Sequence, residues 1–161
     1  MNAAFSQSAP MLLTTFLGPP DAVEHAGGIL RITSVDVFED GLRVRILFWV
    51  PCDTPFPSQQ YESPRADLLA RIPHIDSQEL DGVIEARWLG ELLGDCHVSL
   101  DDAAPYEWTR HGSSGDSGPH GLRTLVRTIH LPIAPIPRHL AMTWGEVTLE
   151  LDVPPIEPFD A

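Results

Sequence analysis

Residues 27–51 read GGILRITSVDVFEDGLRVRILFWVP. Leu42, Val44, Ile46, Phe48 and Val50 share one parity while Arg43 and Arg45 take the other, the period of two expected of a strand with one buried face. Leu47 and Trp49 add apolar groups on the second face, so the far half of this strand is expected to be covered on both sides. Upstream, residues 29–38 are rich in β-branched side chains, and Glu39-Asp40-Gly41 supplies an Asp-Gly turn signal between the two runs. A β-hairpin over 29–50 follows.

The C-terminal third repeats the pattern. In GLRTLVRTIHLP, Leu125, Ile129 and Leu131 oppose Val126, Thr128 and His130. HLAMTWG then brings Leu140, Met142 and Trp144, and EVTLELDV sets Val147, Leu149, Leu151 and Val153 against Glu146, Thr148, Glu150 and Asp152. These are antiparallel strands with one wet face. PIAPIP at 132–137 and Gly145 break them where turns are needed.

The middle of the chain reads differently. Ser63 as N-cap and Pro64 at the first helical position open a short helix that Pro73 limits. Asp76 with Glu79 makes a start resembling a capping box, and Leu80, Ile84, Trp88 and Leu92 recur every four residues. Gly82 and Gly90 oppose a helix by about 1 kcal/mol each relative to alanine. The balance favours helix over strand for 78–93. Beyond it, CHVSLDD and YEWTR read as short strands.

About seven strands with one or two helices inserted centrally imply a mainly β fold, best arranged as an antiparallel β-sandwich rather than a parallel α/β fold. The expected domains are a loosely ordered N-terminal segment 1–24, a β-sandwich 25–153 with a helical insertion near 63–93, and a proline-rich acidic tail 154–161.

Charge narrows the function classes. Acidic residues outnumber basic ones 23 to 10, every basic residue is arginine, and the formal charge is -13. A polyanion should be repelled, which argues against nucleic acid, and anionic membrane surfaces are disfavoured for the same reason. The acidity most simply serves solubility, while a basic partner would be attracted. The apolar run at 11–17 lacks the positive start and length of an export signal, so a cytoplasmic location and unpaired Cys52 and Cys96 are expected.

The densest polar stretch, DDAAPYEWTRHGSSGDSGPHG at 101–121, places His97, Asp101, Asp102, His111, Asp116 and His120 close in sequence. Zinc would want such ligands converging, but no H-E-x-x-H, H-x-H or C-x-x-C spacing occurs, and neighbours on a strand point apart. Ser113 and Ser114 lack the strand-turn-helix setting of a nucleophile elbow. No phosphate-loop or dinucleotide fingerprint is present, so no metal or other cofactor is expected. The bland reading is a long hairpin connection with polar decoration. In the tail, Ile156 and Phe159 could dock into a partner's groove if the proline-rich segment is preformed, although a frayed end is the simpler reading.

VSLDDAAPYEW, the Gly/Ser-rich loop, LVRTIHLPIAPIPRHLAMTW and EVTLELDV together look like small uncharacterised bacterial proteins with immunoglobulin-like β-sandwiches. In those proteins an aspartate-containing strand, a glycine-rich loop, a strand leading into a proline-rich link and a last amphipathic strand recur. The resemblance covers roughly residues 96–153 and, more loosely, the hairpin. It implies the fold and carries no activity.

The functional expectation is a non-enzymatic protein-interaction module whose partner is another protein, a basic one if carboxylates do the binding, as an inhibitor or immunity-type protein would. Homodimerisation through a sheet face or edge is a further expectation. The alternative is a hydrolase, metal-assisted or not, with its site in the 95–121 region.

Overall fold

The computed structural model describes residues 9–100, 123–133 and 135–156 of the 161-residue chain. The fold is mainly β, with two antiparallel sheets and two helices. Its strands are β1 (Leu12–Leu17), β2 (Val23–His25), β3 (Gly28–Phe38), β4 (Gly41–Val50), β5 (Cys96–Leu100), β6 (Arg123–Leu131), β7 (His139–Trp144) and β8 (Val147–Asp152). Between β4 and β5 come a 3-10 turn (Ser58–Tyr61), α1 (Glu62–Arg71) and α2 (Ser77–Leu93). Among the described residues no helix is long and apolar enough to cross a membrane.

The first sheet runs β1-β3-β4-β6, and β2 shares with β1 the same edge of β3. The expected hairpin is its centre: β3 and β4 pair from Phe38–Gly41 at the turn to Ile29–Trp49 at the open end. One extra residue between Ile32 and Ser34 shifts the register, a β-bulge that moves the inward set of β3 from Leu30 and Ile32 to Val35 and Val37. β4 then pairs with β6, Leu42 opposite Leu131 and Val50 opposite Arg123. The second sheet runs β5-β7-β8.

Side chains directly opposite one another in antiparallel strands project to the same side. The inner side of the first sheet therefore carries Ile32, Val44, Ile46, Phe48, Leu125 and Ile129, all buried. These residues share one core with Val98, Leu140, Met142, Trp144, Leu149 and Leu151 of the second sheet and with Leu80, Ile84, Trp88, Leu89 and Leu93 of α2.

Burying each such side chain contributes roughly 1.5–3 kcal/mol. The apolar face of α2 thus outweighs the about 1 kcal/mol that each of Gly82 and Gly90 costs, and the 78–93 segment is helical. Asp76 caps it by accepting from the Gln78 backbone N–H at 2.7 Å.

Three expectations need correction. Within the segment 1–24, thought loosely ordered, residues 12–17 form β1 and Val23 begins β2. A bulge after Leu12 puts both Leu12 and Leu17 on the outer side, which erases the alternation that normally marks a strand. Secondly, α1 begins at Glu62 with Tyr61 as its N-cap. The 3-10 turn before it runs straight into the helix, leaving Ser63 inside the first turn and Pro64 where its missing N–H costs no helical bond.

Thirdly, Leu47 and Trp49 are only half-buried, since they lie with Arg31, Arg43 and Arg45 on an outer face where, apart from Gly41 at the turn, no position of β3, β4 or β6 is fully buried. Arg127, which the alternation of apolar residues does not announce, falls on the inner parity of β6, opposite Ile46, and is buried. The expected 106–110 strand and the Gly/Ser-rich loop lie outside the described residues.

Candidate functional site

The helical layer meets the first sheet where β6 begins. Phe56 is the keystone of this junction: it stacks on Tyr61 with ring centres 5.5 Å apart and meets Trp88 edge-on at 5.2 Å. Arg123, the first residue of β6, lays its guanidinium over the other partner of that contact, 5.0 Å from the Trp88 ring centre, and donates to the Thr54 carbonyl. Tyr61 donates to Glu91, which also accepts from Arg87 Nε at 3.2 Å. Burial, reinforced by that Glu91 bond, pushes the Tyr61 phenol up to about 12.

Above this aromatic platform lies a cleft of about 390 Å³, lined by Phe56, Ser58, Arg65, Asp81, Ile84, Glu85 and Arg123. That volume falls within the range of small-ligand and side-chain pockets. Its polar groups are converged by helical spacing: Asp81, Ile84, Glu85 and Trp88 recur at intervals of three and four, so one side of α2 presents an acid, an aliphatic floor, a second acid and the indole.

The charges in the cleft are unequally satisfied. Arg65, half-buried, is paired with the exposed Asp81, a pairing of small stabilising value. Arg123 is taken up by Thr54 and Trp88. Glu85, in contrast, makes no hydrogen bond to any described residue, and burial holds its carboxyl above the usual range, with Asp81 adding to the rise and Arg123 opposing it. A partly desolvated carboxylate without a donor is a receptor for one. A lysine or arginine side chain entering the cleft would lay its methylene stem along Phe56 and Ile84 and bring N–H donors to Glu85.

A second concavity, of about 440 Å³, lies at the β2–β3 turn, lined by Glu24, His25, Ala26, Gly27, Gly28, Ile29 and Pro51. Ala26 and Gly27 both have positive φ, the geometry of a tight hairpin turn. His25 is committed to the fold, its Nε2 lying 2.8 Å from the Leu93 carbonyl at the end of α2.

Of the residues singled out in the sequence, His97 is exposed on β5 opposite Thr143, while its neighbour Cys96 points inward. Burial pushes the Cys96 thiol up to about 12. Asp101, Asp102, His111, Asp116 and His120 lie outside the described residues. Ile156 is half-buried against the core of its own chain, beside Ile136 and Val153, and Phe159 lies outside the described residues. Among the described residues no group of three or more His, Cys, Asp or Glu side chains gathers to hold a metal ion.

The cleft residues went unnoticed in the sequence because they are spread from Phe56 to Arg123. Two signals were present: the Asp81/Glu85 repeat beside Ile84 and Trp88, and an arginine at position 123 on the parity that Leu125, Ile129 and Leu131 share. Compared with known protein families, with curated proteins and with solved structures, the chain matches none.

Proposed function

We propose that this chain is a non-enzymatic protein-interaction module that accepts a basic side chain of a partner protein in the cleft between α1, α2 and β6. The observation that carries the reading is Glu85: a carboxyl held in a cleft of about 390 Å³, above an apolar floor, with no hydrogen bond from a described residue. The helical layer around it is suited to steering a basic partner, since carboxylates outnumber arginines eight to three over residues 58–95. An inhibitor or immunity-type protein that covers a basic active site would use such a surface. The proposal includes a cytoplasmic location and an immunoglobulin-like sandwich, which the core shared by the inner faces of both sheets supports.

Calorimetric titration with short peptides carrying one arginine or lysine flanked by apolar residues tests the reading. Binding is expected, weakened about tenfold or more by Glu85→Gln, the equivalent of about 1.4 kcal/mol, and left unchanged by substitution of the distant His97. Failure of the wild-type protein to bind any such peptide, or equal affinity in the glutamine variant, would overturn it.

A further inference from the structure

We infer that the outer face of the β1-β3-β4-β6 sheet is a second docking surface, and that its occupant is the acidic helical layer of another copy of this chain. The inference rests on the helical layer being a receptor for basic groups, as proposed above.

The charge of the molecule is divided between two sides. The outer face carries Arg31, Arg43 and Arg45, with Glu24 and Asp36 as its carboxylates, in a chain whose formal charge is -13. Arg31 and Arg45 are exposed, while Arg43 stacks over Phe38 at 4.9 Å. The helical layer carries the opposite excess. Trp88 of α2 meets Arg123, a residue of the inner parity of β6, so the acidic layer and the arginine face point away from each other.

Apolar exposure is divided in the same way. Every large hydrophobic side chain exposed among the described residues lies on one of these two regions: Met11, Leu12 and Leu17 at β1, and Leu69, Ile72 and Val83 in the helical layer. Leu17 is 84% exposed and Ile72 49%. The half-buried Trp49 and Leu47 extend the apolar area of the outer face. Residues 9–20 contain no charged side chain, so the edge that β1 presents offers no electrostatic obstacle.

The two charge excesses are opposite, arginines over carboxylates on the sheet face and carboxylates over arginines on the helical layer, and both surfaces expose aliphatic side chains. A contact between two different patches of identical chains is heterologous and joins copies head to tail. The arginines of the outer face are interrupted by Glu24 and Asp36 and form no continuous basic stripe, which disfavours a nucleic acid as the occupant. The overall negative charge repels copies at long range, whereas the local pairs act at short range, so moderate salt should help association by screening the repulsion and high salt should weaken it.

Sedimentation of the full chain and two variants tests the inference. Arg31→Glu/Arg45→Glu spoils the sheet face, and Asp67→Arg/Val83→Arg spoils the helical layer; all four positions are exposed, and circular dichroism with thermal unfolding verifies that both variants fold. The wild type is expected to grow in mass with concentration, and each variant alone to stay monomeric. An equimolar mixture of the two is expected to form a 1:1 heterodimer of twice the monomer mass, each copy supplying its intact surface.

A wild type that stays monomeric at all concentrations, association that survives in the variants, or a mixture that remains monomeric would overturn the assignment. Capture of a nucleic acid by the sheet face of a monomeric wild type would also overturn it, in favour of that occupant. Peptide titration of the Arg31→Glu/Arg45→Glu variant separates the two ideas: peptide binding without wild-type association sinks only the copy-to-copy contact. Association without peptide binding sinks the single-side-chain reading of the cleft.

Discussion

Arg123 and Trp88 lock strand to helix, the guanidinium carbon standing 5.0 Å from the indole ring centre while the same group donates to the Thr54 carbonyl. Trp88 is 5% exposed, so its truncation leaves a cavity at the junction. Trp88→Ala is expected to cost about 3–5 kcal/mol, and Arg123→Ala about 2 kcal/mol through the lost ring contact and hydrogen bond. Urea unfolding should show the midpoint falling with little change in slope.

The two cysteines differ in reach. Cys52 is exposed and Cys96 is buried, with its thiol pushed up to about 12. A thiol-directed reagent at mildly alkaline pH is therefore expected to modify Cys52 promptly and Cys96 only when denaturant opens the fold. Two equally fast thiols in the native protein would contradict this.

Alkaline pH should destabilise the protein by a traceable route. In the folded chain both the Cys96 thiol and the Tyr61 phenol titrate near 12, against 9.0 and 10.0 for ordinary groups. Between those values the fold keeps protons that the unfolded chain releases, so this stabilisation is complete below pH 9.0 and is lost as the pH rises toward about 12. Cys96→Ala and Tyr61→Phe, measured by thermal unfolding across that window, should each flatten the decline.

Glu85 works in the neighbouring direction at acid pH. Its folded value is raised from 4.5, so the fold favours the protonated carboxyl. Its contribution is full below pH 4.5 and is lost as the pH climbs through the folded value. Glu85→Gln is accordingly expected to raise the melting temperature at neutral pH and to leave it nearly unchanged in strong acid. The same substitution that weakens peptide binding should thus strengthen the fold, a separation of binding from stability.

Gly41 lets β4 start beside the end of β6. A Cβ there would stand 2.1 Å from the Leu131 carbonyl oxygen, a backbone atom that cannot turn aside. Gly41→Ala is expected to force the strand ends apart at a cost of about 1–3 kcal/mol, and amide exchange should quicken at Leu42 and Leu131 first.

The central hairpin was legible because period-two alternation and an Asp-Gly turn agree with each other, and a one-residue slip would expose the whole apolar set. Helix α2 was legible for a related reason, its four-residue repeat of Leu80, Ile84 and Trp88 outweighing two glycines. Strand β1 was hidden by its bulge, which sends Leu12 and Leu17 to the same side. The half-covered state of Leu47 and Trp49 was hidden too, because an apolar side chain on a strand does not say whether anything lies over it. The cleft was the least legible part: its chemistry depends on Phe56, Glu85 and Arg123 meeting across distant segments, and pairing distances of that kind have no local signature.

β4 finds its first partner at once, since β3 is next to it in the chain, but its second edge waits for β6. Leu42 pairs with Leu131, and the whole helical layer is made in between. At about 5–20 residues per second, the roughly 80 residues separating the end of β4 from the end of β6 take the ribosome on the order of 4–16 s to add. For that interval an apolar strand with one open side emerges into a crowded cell, so the helices that follow it are well placed to act as its first shelter before the closing strand arrives.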